Sequence, residues 1–193
     1  KVISVFKVDS FVEMLTEFED KKRLVIFCHH NEVVEKLCNL IKKHYPHVDL
    51  RTIYGKTSNQ ERAITTQAFQ GDSDDFIWLI TSFSVGSEGL TLTKADTILF
   101  LELDWSISTL LQAEDRIHRI SQTKVCMYYY YIALNTLDQY MYNVLYKKAK
   151  YLEEFSDKAS YIKKITETEK ENNEEKTENC SQAESNNSNN IPP

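Results

Sequence analysis

The chain has 193 residues, 23 Lys and Arg against 29 Asp and Glu, and 41% apolar content, which suits one globular domain with an appendage and leaves little room for a second full domain. Apolar runs are only a few residues long, so no membrane span is expected, and cysteines at 28, 38, 126 and 180 lack the Cys-x-x-Cys spacing of a zinc site or disulfide framework and point to a reducing compartment. A net charge of −6 argues against a generally basic nucleic-acid coat while allowing a local basic groove.

The chain opens at Lys1 without a signal-peptide pattern, as a fragment of a longer protein does. Ser10 and Glu13 have the spacing of a capping box, and Phe11, Leu15 and Phe18 then share one helical face. Arg23 to Cys28 is an apolar run of the kind that forms buried parallel strands. Val33, Val34, Leu37, Leu40 and Ile41 follow at helical spacing, and Val48 to Tyr54 alternates as a strand does, broken by Gly55. Ser58 and Glu61 repeat the capping-box pattern ahead of a helix carrying Ile64 and Phe69.

Phe76 to Thr81 and Thr97 to Leu103 predict strands, separated by a Ser/Gly loop. A helix is expected from Ser108 to His118, a strand from Val125 to Ile132, and a long helix from about Thr136 with Leu137, Met141, Val144, Leu145 and Leu152 on its apolar side. Strands alternating with helices imply parallel pairing through right-handed crossovers. From Thr166 onward seven Glu and seven Asn stand against two Lys and one large aliphatic residue, Ile191, so this stretch carries most of the net charge and reads as disordered.

Gly55-Lys56-Thr57 looks like the end of a P-loop, but the first glycine of that motif falls on Leu50, so the match fails. A strand-end turn that meets a phosphate of another molecule remains open. Gly86 and Gly89 follow a predicted strand, where a tight turn or a close backbone approach to a ligand would each use glycine. In Gln112-Ala-Glu-Asp-Arg-Ile-His-Arg-Ile-Ser-Gln122, Arg116 and Arg119 are one turn apart, with Ile117 and Ile120 as anchors. Two guanidinium groups held together suit a polyphosphate, or a solvated face paired with Glu114 and Asp115. The His29-His30 pair and the run Tyr128 to Tyr131 read as structural, the latter with alternate rings on opposite faces of a strand. Trp105 suits either the core or a groove.

In this order the segments resemble the C-terminal RecA-like lobe of SWI/SNF-type, superfamily-2 DNA-translocating ATPases, over roughly residues 1–155. Leu24 to Cys28 looks like motif IV, and Tyr54 to Thr57 with Glu61-Arg62 and Phe69-Gln70 like the Gly-Ser-Thr segment and the helix after it. Gly86 to Thr93 with Ala95 is similar to motif V, and Gln112 to Gln122 is very similar to motif VI. Glu102 to Trp105, Gln112 to Asp115 and Tyr128 to Asp138 lean towards the annealing-helicase, fork-remodelling branch. Ser87, Glu88, Ser106, Ile107 and Ser121 depart from the usual pattern.

The resemblance implies an α/β fold, a RecA-like parallel sheet with helices on both faces over residues 1–158, then an acidic disordered tail over 159–193. It implies ATP with Mg²⁺, the metal being held by an N-terminal lobe that is the chain's partner, and double-stranded or branched DNA as substrate in the nucleus, with no membrane. Arg116 and Arg119 are implied as catalytic arginine fingers, and Gly86, Gly89 and Gln112 as further ATP-binding positions. Gly55, Lys56, Thr57, Ser82, Ser84 and Trp105 are implied to meet DNA. The expectation requires the two arginines to stay out of internal ion pairs and to face the open ends of the strands. A non-catalytic RecA-like interaction module is the alternative, motivated by the departures in motif V.

Overall fold

Side chains alternate across a strand, and Arg23–Cys28 (β1) is buried along its whole length. Leu24, Ile26 and Cys28 therefore enter one core, Val25 and Phe27 another, and β1 must lie in the middle of a sheet covered on both faces. The computed structural model describes residues 2–86, 89–152 and 154. It has that sheet, of five parallel strands: β1, Asp49–Ile53 (β2), Ile77–Ser82 (β3), Thr97–Phe100 (β4) and Met127–Tyr130 (β5), in the order β2-β3-β1-β4-β5. The chain divides into two units, Lys1–Tyr146 and Lys147–Pro193. The sheet is in the first; in the second only 147–152 and 154 are described, all helical. The expected disordered tail and its boundary at 158 lie outside the described residues.

Helices Val2–Met14 (α1) and Asn31–His44 (α2) cover one face, where Phe11, Leu15, Leu37 and Ile41 pack on Leu24, Ile26, Trp78 and Leu99. Helices Asn59–Gln70 (α3) and Ile107–Glu114 (α5), together with 137–146 (α6), cover the other. There Phe69, Leu110, Met141 and Leu145 pack on Val25, Phe27, Leu79 and Phe100. A one-turn helix, Phe83–Gly86 (α4), follows β3. Each large apolar side chain fully withdrawn from water stabilises the fold by ~1.5–3 kcal/mol, and the two layers supply the driving force.

Several local expectations hold and some are corrected. Ser58 and Glu61 form the capping box, each satisfying the other's backbone N–H. Ser10 does not cap a helix: α1 already runs from Val2, and the Ser10 hydroxyl donates to the Lys7 carbonyl at 3.1 Å. Residues 2–8 have no clear apolar periodicity, which hides that start. Leu137 is exposed and not on the apolar side of α6. Strand β4 stops at Phe100, short of Leu103, because Glu102 turns to the loop after β1. Strand β5 begins only at Met127, with Val125 exposed, as an edge strand allows. The tyrosines alternate as expected: Tyr130 stacks on Phe100 at 5.0 Å, and Tyr129 meets Phe18 edge-on from the other face.

Two buried cations have structural roles. Arg23, 8% exposed, donates to the carbonyls of Phe69, Gly71, Ser73 and Asp75 and so fixes the exit of α3 to the start of β1. Lys7 bonds the Tyr131 carbonyl at 2.9 Å and Asp138, tying α1 to the strand and helix at the other end of the unit. Among the described residues no helix is long and apolar enough to cross a membrane.

Candidate functional site

The turn after β2 is closed by Thr57, whose N–H donates to the Tyr54 carbonyl at 2.9 Å and whose hydroxyl accepts from the Tyr54 N–H at 3.1 Å. Arg62 in α3 donates to the Thr57 carbonyl. The Gly55 backbone is exposed, and a Cβ there would meet nothing within 4 Å, so a ligand can approach the peptide closely. Lys56 is exposed and bonded to Glu35 of α2 at 2.6 Å, which raises its pKa above the ordinary lysine value. Ser82 is 2% exposed and shares a hydrogen bond of 3.1 Å with the exposed Ser84, so only Ser84 presents its hydroxyl outward. Trp105 is 48% exposed, its ring 6.4 Å from that of Tyr140. These groups lie beyond the carboxyl ends of β2, β3 and β4.

The same edge is braced by a residue whose role the sequence did not signal. Glu102 is 3% exposed, and one carboxylate oxygen accepts the backbone N–H groups of His29 at 2.7 Å and His30 at 2.9 Å. The other oxygen meets His30 Nδ1 at 2.8 Å. Burial works against its charge, but hydrogen bonds from Ser4, His30 and His29 hold its pKa below the usual glutamate range. The histidine pair is therefore part of a loop clamp, as its structural reading expected. Among the described residues no group of three or more His, Cys, Asp or Glu is placed to hold a metal.

The arginine segment lies elsewhere. Helix α5 is capped by Ser106, ends at Glu114, and residues 115–122 continue as turns, so the expected helix to His118 is shorter. Ile117 is fully buried and anchors the segment; Ile120 is fully exposed and does not. Glu114 turns away to accept from the Tyr130 hydroxyl. Arg119 donates to the Thr91 hydroxyl at 2.8 Å and the Leu90 carbonyl at 3.3 Å, and meets no carboxylate among the described residues. Arg116 is 8% exposed; burial lowers its pKa from the ordinary arginine value, the Arg119 charge adds to this, and Asp115 opposes it. Gln112 lies exposed one turn before it.

The backbone around these side chains fixes where they stand. The Arg116 carbonyl accepts from the Leu92 N–H at 2.9 Å, and Gln122 donates to the carbonyls of Thr93 and Ala95. Residues 90–95 are the return path from the carboxyl end of β3 to the amino end of β4. These bonds hold the two arginines against the return path. An open cleft of about 560 Å³ runs between α3 and Gly89, Leu90 and Thr91 beside that path. Gly89 has φ +80°, the left-handed region that favours glycine, with open space where a Cβ would be. Gly86 closes α4, and the motif V departures Ser87 and Glu88 lie outside the described residues.

Residues 6–121 match the helicase conserved C-terminal domain. The chain belongs to that family. The SWI/SNF-related matrix-associated actin-dependent regulator of chromatin subfamily A-like protein 1 of Drosophila melanogaster is 36% identical over 156 residues, 79% of this chain and 20% of the relative. The human DNA annealing helicase and endonuclease ZRANB3 is 32% identical over 145 residues, 74% of this chain and 13% of the relative. The chain therefore spans a fifth or less of these curated relatives. The crystal structure of the C-terminal part of the Fun30 ATPase domain has the same fold, with a TM-score of 0.64 at 21% identity, covering 72% of this chain and 44% of that one. This helicase lobe is RecA-like, with its parallel sheet between two helical layers, as the resemblance implied.

Proposed function

We propose that this lobe is the second half of an ATP-dependent translocase on double-stranded or branched DNA, working in the nucleus against an N-terminal lobe that holds ATP and Mg²⁺. The observation that carries this reading is Arg119, an exposed guanidinium held by Thr91 and Leu90 with no carboxylate partner among the described residues. With Arg116 beside it and the open backbone of Gly89 nearby, the donors suit a polyphosphate. Bound ATP supplies the phosphoryl group that goes to water. Arg119, with Arg116, holds positive charge where negative charge develops, and Gly86, Gly89 and Gln112 complete this face.

The DNA face is the carboxyl edge: Gly55, Lys56, Thr57, Ser84 and Trp105, with Ser82 supporting Ser84. Contacts of this kind to the phosphate backbone favour shape over sequence. The relative named as a DNA annealing helicase supports DNA as the substrate.

In the intact protein, duplex or forked DNA is expected to stimulate ATP turnover, while residues 1–193 alone show none, because the main nucleotide-binding half is elsewhere. Turnover by the isolated chain, or an intact protein indifferent to DNA, would contradict the reading. Glu35→Gln frees Lys56 from its ion pair, so it should tighten duplex binding several-fold at low salt and steepen the salt dependence by about one phosphate's worth. Fluorescence anisotropy across a salt series checks this; an unchanged slope removes Lys56 from the DNA face.

A further inference from the structure

Two glutamines hold the return path from opposite sides. Gln122, next to the arginines in sequence, donates to Thr93 and Ala95 carbonyls at 3.1 and 2.8 Å and accepts from the Lys124 N–H. Gln70, the last residue of α3, donates to the Thr93 hydroxyl at 3.2 Å and accepts the Lys94 N–H at 3.0 Å. Ser121 also reaches the Thr93 hydroxyl, at 3.4 Å. Arg119 is bound to the same path two and three residues upstream of Thr93. Its position is thus tied to a six-residue stretch that the end of α3 grips through Gln70 at Thr93 and Lys94, with Asp72 just beyond the helix also pairing with Lys94.

Helix α3 connects two surfaces. Its first turn is the capping box of Ser58 and Glu61, directly after the Gly55–Thr57 turn, and Arg62 bonds the Thr57 carbonyl. Its last residue is Gln70. Twelve helical residues span about 18 Å, so one stiff element runs from the DNA face to the path that carries Arg119.

We propose that Gln70 is a positioning residue: by clamping Thr93 and Lys94 to the end of α3, it makes the placement of Arg119 follow the Gly55–Thr57 turn, and so links DNA engagement to hydrolysis. This rests on the arginine-finger reading above. Gln70 lines the cleft beside Gly89, Leu90 and Thr91, so KM for ATP is the readout that separates a positioning role from direct contact with nucleotide.

The test compares Gln70→Ala and Gln70→Glu in the intact protein, with Arg119→Ala alongside. Gln70→Ala should lower DNA-stimulated kcat by about tenfold, the factor that 1.4 kcal/mol represents, with turnover without DNA, KM for ATP and duplex affinity unchanged. Gln70→Glu keeps the acceptor for the Lys94 N–H and replaces the bond donated to the Thr93 hydroxyl by one accepted from it, and should restore most of the stimulation. In the 193-residue chain, amide exchange at Lys94 should quicken in Gln70→Ala while β1 and β3 stay protected. Full DNA stimulation in Gln70→Ala, or a loss in Gln70→Glu as deep as in Gln70→Ala, overturns the inference. An inactive Arg119→Ala beside a normal Gln70→Ala removes the positioning role and leaves the finger reading standing. An active Arg119→Ala removes both.

Discussion

Arg119→Ala in the intact two-lobed protein should lower DNA-stimulated ATP hydrolysis by about 10³-fold or more while leaving duplex affinity nearly unchanged. The size follows from the chemistry: arginine fingers are worth roughly 10³–10⁵ in rate, or ~4–7 kcal/mol of transition-state stabilisation. The selectivity follows from the fold. Arg119 is bonded to Thr91 and Leu90 in the path after β3, whereas the turn proposed to meet DNA follows β2. Its hydrogen bonds are exposed, so their loss should cost the fold no more than ~1 kcal/mol. Steady-state turnover at saturating DNA, with a binding isotherm on the same preparation, separates the two effects. Near-normal turnover would take the finger role away from Arg119.

Glu102→Gln is expected to have the largest effect on stability, about 3 kcal/mol, because charge-assisted bonds of ~1.5–3 kcal/mol each are weakened. The buried carboxylate accepts two backbone N–H groups and faces a histidine nitrogen. An amide brings an NH₂ group to where one acceptor stood. For a chain of this size the shift in Tm should be about 6–12 °C. The pH dependence has a definite sign. Glu102 has a lower pKa folded than unfolded, so its contribution is complete above the unfolded glutamate value of ~4.3 and fades as pH falls through the folded value. Urea melts of wild type and variant should differ most near neutrality and converge as pH falls below the folded value. A gap that stays constant over that range would show that the carboxylate charge is not what stabilises the loop.

The strands were legible because burial on both faces writes them as unbroken apolar runs, and Arg23–Cys28 and Ile77–Ser82 fall within a residue of expectation. The α3 cap was legible because Ser58 and Glu61 bond each other locally. What failed depended on distant partners. Nothing near Ser10 says that α1 has already begun, since α1 is fixed by packing on α2 and by Lys7 reaching Tyr131 and Asp138. Ile117 and Ile120 look alike in sequence, yet only Ile117 meets the core under β4.

The candidate site divides in the same way. Motif residues could be named from their order, and the structure puts Gly55, Lys56, Thr57, Ser84 and Trp105 along one edge and holds the two arginines against Leu90, Thr91 and Leu92. Those arginine partners could not be read from the sequence, because they depend on where the 90–95 path turns back. Glu102 was visible only as part of an expected strand and of the Glu102 to Trp105 segment, and its role needs His29 and His30, more than seventy residues away. Gln70 and Gln122 were legible as motif letters; their shared grip on Thr93 was not.

The most direct test is a structure of the intact protein with duplex DNA and a non-hydrolysable ATP analogue. The account predicts the Arg119 guanidinium within hydrogen-bonding distance of the terminal phosphate and the Gly55–Thr57 turn on the DNA backbone, with the 90–95 path between them. A terminal phosphate held entirely by other cations, with Arg119 still on Thr91 and facing away, would contradict it.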